Sequence, residues 1–249
     1  MSAKDGGNAP VCPYCGRPLP LVPYEVAALG LKGTRPGPCG CGGARRAAEQ
    51  EAAAREAEGE LARRRRLEAR MRKASIPPRY WDVDPVPEQF EAGETGCWLH
   101  GPNGAGKTHI AAMIAVEAVK TGASVEFASL RRIHGEMNDA YAEDRPARAV
   151  MMRYARAGLL VLDDLGKETF TPAQVRVLFE IVDWRWSHRL QTVVTSNFDP
   201  QRLLNRVAAV DRSTALAIRA RIGGMERYEV EGRVMKRRVA KPADEGGSR

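Results

Sequence analysis

Apolar and polar positions sort the chain into two regions that meet near residue 75. Upstream, large apolar residues are sparse. Downstream, short apolar runs alternate with longer stretches whose apolar side chains recur at helical spacing, which predicts strand and helix in turn around a parallel sheet. The strand candidates are residues 97–100, 125–130, 159–162, 191–197 and, last, 228–232. Between them, 110–120 predicts a helix with Ile110, Met113, Ile114 and Ala118 inward. Residues 131–157 predict one or two helices, broken at Asp144-Arg145-Pro146. Thr171 and Pro172 suit the N-cap and first turn of a helix with a core face of Val175, Val177, Leu178, Ile181 and Val182. Trp184 and Trp186 are expected to pack at its end, and His188 to lie on the surface. Residues 203–207 and 215–221 predict two shorter helices.

The first strand runs into Gly101-Pro102-Asn103-Gly104-Ala105-Gly106-Lys107-Thr108, which fits G-x-x-x-x-G-K-[ST], the phosphate-cradling loop. The chain there must wrap a phosphate with its own N–H groups, and Gly101, Gly104 and Gly106 relieve the crowding that Cβ atoms would cause. A helix starting near Lys107 points its positive end at the same anion. Lys107 is expected to reach the β- and γ-phosphates of ATP, and the Thr108 hydroxyl to ligate Mg²⁺.

The run Leu159-Leu160-Val161-Leu162-Asp163-Asp164 is a second diagnostic stretch. A fully apolar run reads as a strand buried on both faces. Its acids emerge at the carboxyl edge, where open α/β sheets bind ligands. Asp163 is the candidate holder of magnesium. Asp164 is placed to orient or deprotonate the attacking water, with Glu168 in reserve. Asn197, at the end of the next strand, is placed to position that water beside the γ-phosphate. Cys97 is expected to be buried core.

Four of the five cysteines fall in the first 41 residues, as Cys12-Pro-Tyr-Cys15 and Cys39-Gly-Cys41. Two close pairs can close a tetrahedral zinc site of four thiolates. A redox Cys-x-x-Cys and unrelated free thiols are the alternatives; the first lacks a surrounding βαβ pattern. The segment has too few apolar residues to fold unaided, so metal would supply its stability. Tyr14, Arg17 and Arg35 suit either a nucleic-acid contact or a solvated surface.

The organisation expected is therefore a zinc module at 1–43, a basic helical linker at 44–74, an α/β nucleotide-binding domain at 75–240 and a disordered tail at 241–249. The stretch 44–73 carries ten Arg or Lys against six Glu and no apolar stripe, so it predicts an exposed helix, either near DNA or a plain spacer. Ser75-Ile76-Pro77-Pro78 ends it. Formal net charge is +8, which favours a polyanionic partner. No apolar run approaches the roughly 18 residues of a membrane span. The polar start is unlike a signal peptide, so a cytoplasmic protein with no membrane partner is expected.

Together, Ile76-Pro77-Pro78-Arg79-Tyr80, the glycine loop, Leu-Leu-Val-Leu-Asp-Asp-Leu-Gly, Thr-Ser-Asn197 and Ile-Arg219-Ala-Arg221-Ile-Gly resemble the DnaC/DnaI helicase loaders and the related IstB transposition ATPases, all AAA+ proteins of the P-loop NTPase class. The cysteine module resembles the zinc region of DnaI-type loaders. The resemblance covers roughly residues 75–238. It implies that Gly101 to Thr108 is Walker A, that Asp163-Asp164 is Walker B, and that Asn197 is sensor 1. Asp164 stands where many of these proteins carry Glu. Arg219 matches the arginine finger that acts on a neighbouring subunit's nucleotide, and Arg221 could exchange roles with it. Arg237, ahead of Arg233, is the candidate sensor-2 residue touching the nucleotide.

The function implied is ATPase-driven loading of a hexameric replicative helicase of the DnaB family, with single-stranded DNA bound and self-association on ATP and DNA. Arg131 and Arg132 are candidate DNA contacts. An IstB-like transposition ATPase is the nearest alternative. A small P-loop kinase would need a mobile lid that the sequence does not display. A zinc adaptor with a nucleotide-operated switch is a further class.

Overall fold

The computed structural model describes residues 10–87, 93–167, 169–232 and 234–238. Two compact units, Met1–Arg65 and Arg66–Arg249, divide the chain within a single helix. In the first unit, β1 (Leu21–Val26) and β2 (Leu31–Pro36) form an antiparallel hairpin. Helix α1 (Gly42–Lys73) follows and crosses the division. Most of it is solvent-exposed, as its Ala, Glu and Arg content requires, but its last turns are not. Met71 is buried, and Leu67 packs against the core of the second unit.

The second unit holds a six-stranded sheet in the order β4-β5-β6-β3-β7-β8. Its strands are β3 (Gly96–His100), β4 (Val125–Ala128), β5 (Leu159–Leu162), β6 (Gln191–Ser196), β7 (Glu226–Glu231) and β8 (Val234–Arg238). The first five are parallel and β8 is antiparallel. Alternation across the pleat divides the core. Cys97, Leu99, Val161 and Val193 face one layer with helix α2 (Lys107–Lys120). Trp98, Leu160, Leu162 and Val194 face the other, which holds α3 (Leu130–Ala142), α4 (Ala147–Arg156), α5 (Pro172–Ser187), α6 (Pro200–Ala208) and α7 (Arg212–Ile222). Each such side chain contributes about 1.5–3 kcal/mol on burial. Burial on both faces is why these strands carry no polar alternation.

The predicted elements are present, with shifted ends. The strand expected over 125–130 stops at Ala128, because Ser129 accepts a hydrogen bond from the Arg132 amide and caps α3. Helices α6 and α7 begin before the expected starts, each from an aspartate N-cap, Asp199 and Asp211. Thr171 caps α5 as expected, in a reciprocal capping box with Gln174. Ala118 is only half-buried, whereas Ala111, Ala112 and Ala115 are fully buried against the sheet. Trp184 packs against the core, but Trp186 is 51% exposed and lies under the Arg221 guanidinium.

The strand at 226–231 is not the last. Gly232, at φ +63°, turns the chain back into β8, whose charged residues Lys236, Arg237 and Arg238 hid its strand character in the sequence. Pairing with β8 covers the edge that β7 would otherwise expose. On the opposite edge, the Phe127 amide donates to the Ala74 carbonyl, so the end of α1 shields β4. Among the described residues, no helix is long and apolar enough to cross a membrane.

Candidate functional site

The carboxyl edges of β3, β5 and β6 bring three sequence-distant segments together. Residues 101–106 leave β3 and turn directly into α2, which starts at Lys107 with no side-chain cap. Its first amides therefore remain available at the loop, at the positive end of the helix. The glycines have separate reasons. Gly104 and Gly106 sit at φ +77° and +96°, where a side chain would strain the backbone. Gly101 answers to the sheet, since a Cβ there would lie 2.1 Å from the Val230 carbonyl oxygen of β7. That steric demand differs from the phosphate crowding expected of all three.

Lys107 is 7% exposed, and its Nζ donates to the carbonyls of Gly101 at 2.9 Å and Pro102 at 2.8 Å and to Asn197 Oδ1 at 2.9 Å. Burial pulls this ammonium below the ordinary lysine range, and the Asp164 and Asp163 carboxylates oppose that. Thr108 Oγ1 donates to Asp163 Oδ1 at 2.9 Å. The same Asp163 oxygen accepts from Thr195 Oγ1 at 2.7 Å, and Thr195 Oγ1 accepts from the Asp164 amide at 2.8 Å. One buried hydroxyl thus ties the Asp163 carboxylate to the Asp164 backbone. Thr195 had only its position in Thr-Ser-Asn197 to mark it. Next to it, Ser196 Oγ donates to the Leu165 carbonyl at 2.7 Å, tying the turn after β5 to β6.

Asp164 acts on the Lys107 charge ahead of Asp163, but its hydrogen-bond partner differs from that of the Thr108–Asp163 pair. Its φ is +59°, and its Oδ2 accepts from Lys167 Nζ at 2.8 Å. Both residues border a cavity of about 260 Å³ together with Arg131, Phe170 and Gln174. Arg132, the other candidate DNA contact, is engaged with Glu136 and Ser75. Glu168 lies outside the described residues, as do Arg233 and the tail at 241–249. Arg237 is in register with Tyr228 on β8, and the role expected of its side chain falls outside the described residues.

Arg219 and Arg221 separate clearly. Arg221 Nε donates to Asp183 Oδ1 at 2.9 Å, and its guanidinium lies over Phe179 and Trp186. Arg219 is exposed on α7 and makes no ion pair among the described residues. Cys97 is fully buried, and burial pushes its thiol up.

In the first unit, the sulfurs of Cys12, Cys15, Cys39 and Cys41 lie within 4.8 Å of one another. The Cys12–Cys41 and Cys15–Cys39 separations are 3.8 and 3.6 Å. A tetrahedron of sulfurs around zinc at 2.3 Å has edges of about 3.8 Å, so the set fits that ion. The Ala44 amide at the start of α1 donates to Cys41 Sγ at 3.3 Å and holds that thiol below its usual value, at about 7, which favours the thiolate.

A parallel sheet with a glycine loop and an acid pair at its carboxyl edge defines a P-loop nucleotide-binding protein. The family model described as IstB-like ATP binding protein matches residues 89–238, and the chain belongs to that family. An insertion-sequence ATP-binding protein of Sinorhizobium fredii is 31% identical over 183 residues, covering 63% of this chain and 60% of that one. The replicative helicase loader DnaC of Escherichia coli is 26% identical over 117 residues, covering 47% and 48%. The AMPPCP-bound structure of DnaA from Aquifex aeolicus superposes with a TM-score of 0.50 at 22% identity, over 63% of this chain and 51% of that one, a likeness of fold. The chain spans about two fifths to three fifths of the length of the insertion-sequence relatives it matches.

Proposed function

We propose that this chain is an ATPase that loads a hexameric replicative helicase onto single-stranded DNA. The observation that carries the reading is the four-cysteine cluster joined by a basic helix to the ATP-binding domain. The relationship to a replicative helicase loader supports it. The cysteine module would be the helicase grip, and the +8 charge would favour DNA.

In this reading, residues 101–108 wrap the triphosphate and Lys107 neutralises its β- and γ-oxygens. Thr108 and Asp163 would hold magnesium, which would supply charge neutralisation to the triphosphate. Asp164 accepts the proton of the attacking water, and Asn197 orients that water. The engagement of Arg221 with Asp183 leaves Arg219 as the finger for a neighbouring copy's nucleotide. Arg219→Ala should then lower turnover about tenfold or more in assemblies. Mixing with Asp164→Ala subunits should restore part of it, whereas Arg221→Ala should act on thermal stability. No restoration in the mixture removes the shared site.

The cluster of Cys12, Cys15, Cys39 and Cys41 would be structural, since four thiolates leave zinc no open position. Metal analysis should give about one zinc per chain. The full chain should capture a DnaB-type hexamer, and chelation or Cys12→Ser with Cys15→Ser should abolish capture. Capture that survives loss of the metal refutes the grip.

The matches to insertion-sequence ATP-binding proteins favour a second reading, a transposition ATPase. Capture of a transposase and not of the helicase in the same assay would select it.

A further inference from the structure

Asp164 is the proposed acceptor of the water's proton, yet its carboxylate is engaged elsewhere. Asp164 Oδ2 accepts from Lys167 Nζ at 2.8 Å, and the Lys167 amide donates to the Asp164 carbonyl at 3.3 Å. The two residues share the cavity with Arg131, Phe170 and Gln174, and no residue of 101–108 borders it. Thr108 and Asp163, by contrast, are joined directly. The acid meant for the water therefore has one oxygen paired with a cation on its own loop.

We propose that Lys167 is a positioning residue that restrains Asp164, and that hydrolysis speeds up when the ammonium releases it. This rests on the ATPase reading. In the step concerned, the water oxygen bonds to the γ-phosphorus and the bond to the bridging oxygen breaks. Its electron pair leaves on ADP, and the water's proton passes to the Asp164 carboxylate. That carboxylate must turn a lone pair to the water, and the pair with Lys167 holds one of its two oxygens, Oδ2. Backbone and side chain are held separately here. The Asp164 amide is fixed by Thr195, and the carboxylate is held by Lys167 alone among the hydrogen bonds described here.

The restraint is weak by construction. The Lys167 side chain is 64% exposed and that of Asp164 is 37% exposed, so water and salt screen the pair. It can open without a large rearrangement, and it biases turnover instead of blocking it.

Lys167→Met and Lys167→Arg, measured as steady-state ATP turnover at low and high salt, test the restraint. Lys167 is a surface side chain, so both variants should fold. Lys167→Met should raise kcat about two- to fivefold at low salt with KM unchanged, the range expected for an exposed ion pair. Wild-type kcat should rise with salt more than that of Lys167→Met, and Lys167→Arg should keep the wild-type behaviour. A kcat in Lys167→Met at or below wild type overturns the restraint and leaves the ATPase reading standing. So does an arginine variant that behaves like methionine. Silence in both, matching Lys107→Ala, removes the restraint and the ATPase reading together.

Discussion

Lys107→Ala should weaken ATP binding at least about tenfold and bring turnover below detection. Charge-assisted hydrogen bonds are worth about 1.5–3 kcal/mol each, and every 1.4 kcal/mol is tenfold. Lys107 supplies the only side-chain ammonium bordering residues 101–108 among the hydrogen bonds described there. The same change leaves the Asn197 amide oxygen without this donor, so the two residues proposed around the γ-phosphate should fail together. Lys107→Arg separates charge from shape: a planar fork cannot reproduce three convergent bonds from one nitrogen. Nucleotide titration and phosphate release measure the two effects. Unchanged turnover in Lys107→Ala would end the ATPase reading.

Arg185→Met should cost about 3 kcal/mol of folding stability and lower Tm by about 10 °C. The side chain is 1% exposed, and its acceptors are all neutral. They are Thr192 Oγ1 at 2.9 Å, the carbonyls of Tyr154, Ala155, Ala157 and Gly158 at 3.2, 3.1, 2.7 and 3.5 Å, and the Gln191 carbonyl. Tyr154 and Ala155 lie in the last turn of α4, whose carbonyls have no partner within the helix. Arg185 thus caps one helix from another and pins the entries of β5 and β6. Burial pulls the guanidinium down to about 9, so it stays charged at neutral pH. Methionine matches its length but leaves those buried carbonyls unpaired. Denaturant unfolding checks this, and an unchanged midpoint would refute it.

Arg185 shows what the sequence hides. In Trp184-Arg185-Trp186 it reads as a charge at the exposed end of a helix, and nothing local says that α4 ends beside it. The elements that were legible are those whose signal is local. The glycine loop, the apolar run into Asp163, the Thr171-Pro172 cap and the pair of cysteine turns each carry their own chemistry within a few residues. The α/β class followed from alternation alone. β8 was missed because its basic residues and the tail beyond it look solvated, and its pairing is set by β7. The choice between Arg219 and Arg221 needed Asp183, 38 residues away from Arg221 in sequence. Thr195 and Lys167 were invisible for the same reason, since their interest lies in what they touch.

The position of Gly101 bears on how inactive variants are chosen. A methyl group there collides with the neighbouring strand before any nucleotide is considered. An alanine at that position is a folding lesion, and a silent G101A protein would teach nothing about phosphate chemistry. The first glycine of the motif guards the architecture, the two later ones hold a left-handed backbone, and clean knock-outs have to come from side chains such as Lys107 and Thr108.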